Sequence, residues 1–525
     1  MTATPKGNTM NSAAPSPDLE KFRLRKFMNG LGPDDLGKIS GNTDLYDIGA
    51  QLEGNARALL FDKPAGESIP LCGNVMGSRN RLAQAFDTKP DNLVVEVLRR
   101  LRTPQPVVEV QRGDAPSQQV VLEGDAADLT RLPVHLQHEL DGGPYIGAID
   151  FTRDTSNGWT NIGVRRLMLR GKHIAGVDLV APSDLRALYL GHVQRGEIMP
   201  VAFVVGSSPI DYVAATLRLP IDELPLLSSL RGAPLGVVRC ITNDLLVPAD
   251  AEYVLEGYLD ARGHVEPEGP YGEFLGYYGG VKQNPVFHLT AITHRRDALF
   301  QTLTISGRNM SQTDTAQLCA LRTEVTAWQA IQLAVRELKA VYASAASGGM
   351  FNLRVSMVQR TPGEARNAIA AAFSCQANIK HVFVVDPDID IFSDSEMDWA
   401  LATRFQAARD MVTMSGLRAM PLDPSLLDGR TFSKVGFDLT LPLLAPGQKR
   451  SMEHQIPTPP FPAAAGAATS TPGEALAGGP LNFGELMRAT GSRDGRELVR
   501  WLEEQHEAGL IERDPAGRWV HKAGK

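Results

Sequence analysis

The sequence predicts a multidomain protein of mixed α/β (α+β) class. Its 525 residues are enough for two or three domains, each with its own hydrophobic core. Between residues 105 and 310, short β-branched runs follow one another with Gly, Pro and Asp turn signals between them, which indicates a β-barrel or a sandwich. After Ser311 strand-like and helix-like segments alternate, a pattern typical of βαβ units on a sheet covered by helices.

The first 310 residues contain a leader and two predicted domains. Residues 1–18 are polar and rich in Pro and Ser, so we expect a disordered leader. Residues 19–104 mix helical patterns with short apolar runs such as ALLF, and we interpret them as a small α/β domain. Residues 105–310 form the β-rich domain, whose strand-like runs include YIGAIDFTRD, VAFVVG and VFHLTAITHR.

The rest of the chain contains a second α/β domain, a linker and a small terminal domain. Residues 311–454 carry the alternating pattern of the C-terminal α/β domain. Residues 455–480 are rich in Pro, Ala and Gly and are predicted to be a linker. Residues 481–525 show two helical patterns and a hairpin around DPAGR, the order of a winged helix.

The composition excludes several classes of protein. A net charge of −7 and a pI of about 5.9 argue against a nucleic-acid-binding protein. Four well-separated cysteines without a CxxC pair predict neither a zinc site nor a disulfide framework, and they fit a reducing cytoplasm. The polar N-terminus has no apolar region of a signal peptide, and no stretch approaches the roughly 18 apolar residues of a membrane span. A cytoplasmic enzyme without membrane partners is therefore expected.

The segment PEGPYGEFLGYYGG, residues 267–280, contains two candidate functional carboxylates. Glu268 and Glu273 flank a Gly-Pro-aromatic-Gly turn, and its glycines lack Cβ atoms, so the backbone can approach a flat ligand closely. The alternative is an ordinary exposed loop, in which Glu beside Gly and Pro is common. This segment alone does not decide between the two interpretations.

The segment WTNIGVRRLMLRGKHIAG, residues 159–176, contains a candidate metal ligand and a candidate catalytic cation. Asn161 can ligate a hard cation through its amide oxygen. Arg166 follows five residues later in a strand-like run, and a buried guanidinium there needs carboxylate partners. Taken alone, this Arg is better explained as a solvent-facing residue of an edge strand.

A third polar segment follows a buried strand near residue 385. Asp386, Asp388 and Asp390 lie at a period of two, which superficially suggests a metal site. The alternative is an acidic turn whose Asp390 and Asp394 cap the structure that follows. We favour this structural interpretation.

Together these segments resemble one family, the UbiD decarboxylases. The resemblance lies in the Glu-Gly-Pro-aromatic-Gly-Glu stretch, in the Asn-x-x-x-x-Arg strand and in the VVDPDIDIFSD…WALATRFQAARD block, in this order. The segments ALLFDKPAG…VMGSRNRLA, RCITNDLLVPADAEYVLEG and SKVGFDLTLP are also similar to family segments. The similarity covers roughly residues 20–445, most of the chain.

The resemblance implies a split β-barrel that binds prenylated FMN in the middle domain. In the family the cofactor phosphate is held through a divalent metal, usually Mn²⁺ (or Mg²⁺), with K⁺ nearby. The metal ligands are an Asn, a His and a Glu, and these positions fall on Asn161, Asp184 and Glu223. Asp184 thus departs from the family pattern. Either the metal site has only oxygen ligands, or the cofactor geometry is altered; His173 or His192 as a replacement has no support from the spacing.

The resemblance also assigns the catalytic residues. Arg166 and Glu268 are expected to pair and to orient the substrate carboxylate or the cofactor edge. Glu273 is the expected general acid that protonates carbon after CO₂ leaves, with its pKa raised by burial. The remaining expected cofactor contacts are the backbone of Gly163, Val164 and Arg165 and the side chain of Lys434.

The implied activity is the non-oxidative, reversible decarboxylation of an aromatic, heteroaromatic or α,β-unsaturated carboxylic acid. The family does this through a covalent adduct between the substrate and the modified flavin. The alternative is a catalytically silent flavin-binding or cofactor-carrying protein on the same fold. Arg308 is either a partner of a polar substrate group or an exposed loop residue.

Three partner predictions complete this picture. The resemblance implies a homodimer or a higher homo-oligomer, and a UbiX-like flavin prenyltransferase as the supplier of the cofactor. Residues 481–525 contain eight Lys or Arg and eight Asp or Glu, so this winged-helix-like piece has no net charge. Without a basic face it lacks the main driving force for DNA binding, and we expect it to contact protein.

Overall fold

The computed structural model describes residues 16–426, 431–445, 447–448, 450–454, 456–460 and 470–522. Almost all of the predicted leader therefore lies outside the described residues, as does part of the predicted linker. The chain divides between Leu443 and Leu444 into two compact units. Within the described residues, no helix is long and apolar enough to cross a membrane.

The first part of the larger unit is a small α/β layer. Its helices and strands are α1 (Leu24–Asn29), β1 (Leu36–Thr43), α2 (Leu45–Leu52), β2 (Ala58–Pro64), β3 (Leu71–Gly73), α3 (Arg79–Ala85) and α4 (Leu93–Leu101). β1 and β2 are parallel, and β3 runs antiparallel to β2. The α4 sequence LVVEVLRRL buries its apolar face and leaves Arg99 exposed, as its helical spacing predicts.

The middle part contains most of the strands and three helices. In chain order they are β4 (Val107–Glu109), β5 (Val120–Glu123), β6 (Tyr145–Arg153), β7 (Thr160–Leu169), β8 (Ile174–Val177), α5 (Asp184–Arg195), β9 (Met199–Val205), α6 (Pro209–Thr216), α7 (Glu223–Arg231), β10 (Leu235–Arg239), β11 (Leu246–Pro248), β12 (Tyr253–Leu259), β13 (Glu266–Glu268), β14 (Tyr271–Gly272), β15 (Tyr278–Gly279), β16 (Lys282–Asn284), β17 (Val286–His294) and β18 (Phe300–Thr302).

Six of these strands close into an antiparallel barrel, and this selects the barrel over the sandwich. The order is β12-β9-β6-β7-β8-β17, and β17 pairs again with β12. Side chains alternate across β6, so that Ile146 and Ala148 face one core while Ile149 and Phe151 face another. Apolar side chains therefore pack against both faces of the barrel sheet.

Not all of the predicted β-rich domain belongs to the barrel. β18 adds to the N-terminal sheet beside β3, and β4, β10 and β11 form a separate small sheet. The three helices begin at a side-chain cap, such as Ser183 before α5 and Asp222 before α7. α5 and α7 end at Gly196 and Gly232, whose positive φ ends a helix readily.

The last part of the larger unit carries the strand–helix alternation that the sequence predicts after Ser311. Its elements are α8 (Asp314–Ile331), β19 (Leu338–Ala343), β20 (Asn352–Met357), α9 (Glu364–Ser374), β21 (His381–Val385), α10 (Asp394–Arg404), α11 (Ala407–Asp410), β22 (Met411–Arg418) and β23 (Thr431–Asp438). The sheet order is β19-β20-β21-β23-β22. β20, β21 and β23 are parallel, which agrees with the predicted βαβ units.

The smaller unit has the winged-helix-like order expected from the sequence. It contains α12 (Pro472–Ala477), α13 (Phe483–Thr490), α14 (Arg496–Glu507) and the hairpin of β24 (Ile511–Arg513) and β25 (Trp519–His521). α12 lies inside the segment predicted to be a linker. That prediction overlooked the capping box between Thr471 and Glu474, and Leu476, which is buried in the core of this unit.

Candidate active site

Arg166 on β7 is held by three carboxylates. Its Nε and Nη2 donate to the two oxygens of Glu268 at 2.9 and 3.2 Å, and its Nη1 donates to Glu273 Oε1 at 2.9 Å. Asp178 Oδ2, just beyond β8, lies 3.0 Å from Nη2. The Arg166 side chain is only 12% exposed. The predicted trio is therefore brought together, and Arg166 is not a solvent-facing edge residue.

The loop from β13 to β15 carries both glutamates. β13 ends at Glu268, a cis peptide joins Gly269 to Pro270, and Glu273 follows β14 directly. Gly279 on β15 has no Cβ, and one placed there would lie 2.8 Å from Glu273 Oε1. Gly279 therefore makes room for the glutamate carboxylate, and it lies outside the turn whose glycines were predicted to approach a flat ligand.

Two tyrosine rings enclose the guanidinium. The Tyr271 ring centroid lies 4.2 Å from Arg166 Cζ, and that of Tyr145 lies 5.9 Å away. Burial raises the pKa of the Tyr271 phenol, which keeps this ring neutral over the physiological range. The aromatic faces stabilise the cation and exclude water from the ion pairs.

The structure adds two polar residues that sequence reasoning missed beside the trio. Lys282 Nζ lies 3.5 Å from Glu273 Oε1 and 3.7 Å from Asp178 Oδ2. Asn284 Nδ2 donates to Glu268 Oε2 at 3.1 Å and to Asp178 Oδ1 at 3.3 Å. Both belong to β16 and share one face of it. In the sequence, their spacing of two residues just after the PEGPYGEFLGYYGG segment was the signal that could have placed them on one face of a strand near the glutamates.

Electrostatics keep two members of this cluster, Arg166 and Asp178, in their ionised forms. Burial alone would lower the pKa of Arg166, but the hydrogen bonds to Glu268 and the charges of Glu273 and Asp178 raise it well above its usual value. For Asp178 burial acts to raise the pKa, yet the charges of Arg166 and Lys282 lower it overall. An Arg in this setting stays positively charged and binds anionic groups.

The three predicted metal-site residues occupy the start of β7 and the N-termini of two helices. Asn161 Nδ2 donates to Glu223 Oε2 at 3.2 Å, and the Ile162 amide donates to the same oxygen. Glu223 is the first residue of α7 and is buried. Asp184 is the exposed first residue of α5 and lies near enough to Glu223 for their charges to repel. Helix N-termini favour anions such as phosphate.

The other predicted cofactor residues fall into two groups. Gly163, Val164 and Arg165 lie in the middle of β7, where Asp150 pairs with Gly163 and lies 3.4 Å from Arg165 Nε. Lys434 lies on β23, where its Nζ donates to the carbonyl oxygen of Phe373 at 2.9 Å. Burial, together with the charge of Arg418, lowers the pKa of Lys434.

Two further predictions concern residues outside the trio. The Nδ1 atom of His192 hydrogen-bonds to the Ile198 carbonyl at 3.0 Å. Asp388 forms an ion pair with Arg404 at 2.7 Å, and Asp390 Oδ1 accepts from the Phe392 amide at 2.9 Å. These contacts agree with the structural interpretation of the Asp triplet.

A cavity of about 570 Å³ lies beside the trio, which does not line it. Its wall includes Gln137, which accepts a hydrogen bond from the Tyr271 hydroxyl at 3.3 Å. Ile305 lines the cavity and also contacts the cluster that contains Tyr145 and Tyr271. The wall also includes His138, whose Nδ1 lies 3.2 Å from Asp141 Oδ2.

Three sequence models of one family match the larger unit. They describe the N-terminal, Rift-related and C-terminal domains of 3-octaprenyl-4-hydroxybenzoate carboxy-lyase (UbiD), and they match residues 45–101, 108–309 and 316–439. The chain belongs to the UbiD family. An anhydromevalonate phosphate decarboxylase from Methanosarcina mazei is 32% identical over 76% of this chain and 90% of its own length.

Solved structures of UbiD-class enzymes have the same fold. HmfF from Pelotomaculum thermopropionicum, in complex with FMN, is 32% identical and has a TM-score of 0.77, with 83% of this chain and 97% of that chain covered. The vanillic acid decarboxylase of Sedimentibacter hydroxybenzoicus, in its open form, is 27% identical with a TM-score of 0.75. The match covers 84% of this chain and 96% of the decarboxylase chain. The predicted family and fold class are confirmed.

We expect Glu223 to make the metal-free UbiD-family protein less stable as the pH rises. Burial is the main cause that raises the pKa of Glu223 to about 8, and the charges of Asp150 and Asp184 add to it. A carboxyl whose folded pKa is raised contributes stability in full below about pH 4.5, and this contribution is lost as the pH rises through about 8.

The test compares urea unfolding of the metal-free wild type and Glu223→Gln between about pH 5 and pH 8.5. The wild type should lose roughly 2–4 kcal/mol more than the variant over this range. If Glu223 ligates Mn²⁺ as the family resemblance implies, added Mn²⁺ should restore the wild type most strongly at the higher pH, because the metal would take the place of the proton. Parallel pH curves for the two proteins would contradict the prediction.

Proposed function

We propose that this UbiD-family protein removes CO₂ reversibly from an aromatic, heteroaromatic or α,β-unsaturated carboxylic acid, with prenylated FMN as its cofactor. The observation that carries the proposal is the contact of Arg166 with both Glu268 and Glu273 in a nearly dry site. An invariably charged guanidinium beside a carboxylate with a free oxygen combines an anion-binding group with a proton-transfer group.

The chain's own residues divide the work as follows. Arg166 binds and orients the substrate carboxylate, while Glu268 holds the guanidinium in place through two hydrogen bonds. Glu273 donates a proton from its carboxyl oxygen to the carbon that CO₂ leaves, and it takes that proton back in the reverse direction. The modified flavin, when bound, supplies the sink for the electrons that departing CO₂ leaves behind.

The donor set near Asn161 fits a hard divalent cation. Asn161 donates through Nδ2 to Glu223, which leaves its Oδ1 as a possible ligand beside the Glu223 carboxylate. Within the described residues, no group of three or more His, Cys, Asp or Glu side chains is arranged to hold a metal. The proposed site therefore consists of the Glu223 and Asp184 carboxylates and the amide oxygen of Asn161. These three ligands are all oxygen atoms, which suits Mn²⁺ or Mg²⁺.

The surroundings of this site also fit a phosphate. Arg165 and Arg218 lie near enough for their positive charges to repel each other. Asp184 lies near enough to Arg218 for their opposite charges to attract. Asn161, Asp184 and Glu223 would hold the metal, and Gly163, Val164 and Arg165 would line the cofactor. Lys434 remains part of the proposal on the family resemblance alone.

The remaining parts of the proposal also rest on the resemblance. They are K⁺ beside the divalent metal, a UbiX-like flavin prenyltransferase as cofactor supplier, a cytoplasmic location, and a homodimer or higher homo-oligomer. HmfF, whose evolved dimeric form was solved with prenylated FMN at 29% identity and a TM-score of 0.73, supports the cofactor.

The deciding experiment reconstitutes the protein with prenylated FMN, Mn²⁺ and K⁺ and screens cinnamic, hydroxybenzoic and heteroaromatic acids for CO₂ release. Hydrogen–deuterium exchange at the product carbon tests the reverse direction. Turnover of at least one acid is expected. A bound cofactor without turnover or exchange on any acid would instead support a catalytically silent flavin-binding protein.

Asn161→Ala is expected to lose most of the bound divalent metal. The amide is one of only three proposed ligands, so its loss should reduce Mn²⁺ affinity by about 10-fold or more. Metal content of dialysed protein, measured by mass spectrometry, checks this result. Asn157→Ala, an exposed position in the turn before β7, is the matched control and should keep its metal.

A further inference from the structure

The charges around Arg166 are not balanced. Two cations, Arg166 and Lys282, face three carboxylates, those of Glu268, Glu273 and Asp178. The Glu268 and Glu273 side chains are 0% and 6% exposed, so solvent screens this excess only weakly. One added proton makes the cluster neutral, and a buried site favours neutrality.

The hydrogen bonds indicate which oxygen takes that proton. Glu268 Oε1 accepts from Arg166 Nε, and its Oε2 accepts from Arg166 Nη2 and from Asn284 Nδ2. Glu273 Oε1 accepts from Arg166 Nη1 and from Lys282 Nζ. Among the described residues no hydrogen bond reaches Glu273 Oε2. In this part of the structure, Glu273 Oε2 is therefore the carboxylate oxygen of the trio that no described donor reaches.

The charged side chains of Lys282 and Asp178 lie close enough to Glu273 or to its partners to change its proton affinity. Lys282 lies opposite Glu268 in the β13–β16 pair, and its side chain is 25% exposed. Asp178, 20% exposed, contacts Arg166 and Lys282, the two cations that also contact Glu273. Neither residue is needed to complete the Arg166–Glu268–Glu273 contacts.

The other polar groups around Glu273 do not supply a compensating charge. Tyr271 is a neutral phenol over Arg166, and Tyr145 packs against it with ring centroids 4.3 Å apart. Asp141 Oδ1 accepts from the Gly272 amide at 2.8 Å, and its Oδ2 lies 3.2 Å from His138 Nδ1. This His–Asp pair holds the backbone before Glu273.

We propose that Lys282 and Asp178 are positioning residues that move the proton affinity of Glu273 in opposite directions. Lys282 favours the ionised carboxylate directly. Asp178 draws both cations toward itself and adds a negative charge, so it favours the protonated carboxyl. This inference rests on the proposed function, because it sets the pH range over which Glu273 can donate a proton to carbon.

The test measures kcat/KM against pH for the reconstituted protein with an acid that it decarboxylates. Activity is lost as the pH rises through the pKa of the proton donor. Lys282→Met should move this limb upward by about one to two pH units, since an opposite charge at this distance is lost. Asp178→Asn should move it downward by a similar amount, and the double variant should lie near the wild type.

Two controls separate positioning from a structural role. Lys282→Arg keeps the cation and should leave the limb near its wild-type position. Arg262→Met removes an exposed cation that pairs with Glu266 on the same strand as Glu268, and it should not move the limb. Unmoved limbs in both test variants, or shifts in the same direction, would overturn the inference.

A second measurement does not need turnover. Infrared titration of the cofactor-free protein should show a protonated carboxyl band that Glu273→Gln removes. Its midpoint should rise in Lys282→Met and fall in Asp178→Asn; equal midpoints would again overturn the inference. If even the wild type fails to decarboxylate any acid while these midpoints shift as expected, the proposed function fails and the electrostatic inference stands.

Discussion

Replacing Glu273 with glutamine is expected to lower the decarboxylation rate by about 100-fold or more while the cofactor stays bound. Glutamine keeps the size of the side chain and an oxygen that can accept from Arg166 Nη1, but its amide N–H groups are not acidic enough to protonate carbon. General acid catalysis contributes roughly 10²–10⁴-fold in enzymes. The measurement is CO₂ release at saturating acid, with the flavin content determined on the same samples.

Glu266→Gln is the matched control for this result. Glu266 lies on β13, two residues before Glu268, and pairs with Arg262 at the surface. The same chemical change there should leave the rate within about twofold, because surface changes away from special features have small effects. If the Glu273→Gln enzyme keeps more than a third of the wild-type rate, Glu273 is not the proton donor.

Arg166→Met is expected to lower the free energy of unfolding by about 3–5 kcal/mol at neutral pH and to abolish turnover. Removing one partner of a buried ion pair leaves uncompensated charge, and here three carboxylates lose their shared partner. Urea denaturation of the cofactor-free protein measures this loss without any influence of flavin binding.

Two companion variants make the cause of this loss visible. Arg166→Met combined with Glu268→Gln should recover part of the lost stability, since one of the unpaired charges is then neutral. Arg262→Met removes a cation that is 53% exposed and should leave the free energy of unfolding close to the wild-type value. An Arg166→Met protein as stable as Arg262→Met would mean that the buried ion pairs do not hold this site together.

The trio could be predicted because each of its members lies in a segment with its own signal. Glu268 and Glu273 flank the turn glycines, and Arg166 follows Asn161 at a spacing that resembles one family. The segments could not show the hydrogen bonds from Arg166 to the two glutamates, because β7 and the β13–β15 loop are about 100 residues apart in the chain. The barrel closes this distance through the pairing of β8 with β17.

The neighbours of the trio were missed for the same reason. Lys282 resembles any exposed lysine near a turn, and only the register of β16 against β13 places it opposite Glu268. Asp178 follows β8, and nothing in its local sequence points to Arg166. The helices α5 and α7 carried visible N-cap signals, Ser183 and Asp222, which would have placed Asp184 and Glu223 at helix N-termini.

The sequence by itself determined the family, the mixed α/β architecture and the identities of Arg166, Glu268 and Glu273, because local turn chemistry, periodicity and motif order are written in short segments. Only the tertiary structure decided that one Arg serves three carboxylates, that Lys282 joins them, and that Asp184 is exposed. Ion pairs and burial depend on strand register and barrel closure, which bring together residues that are distant in the chain.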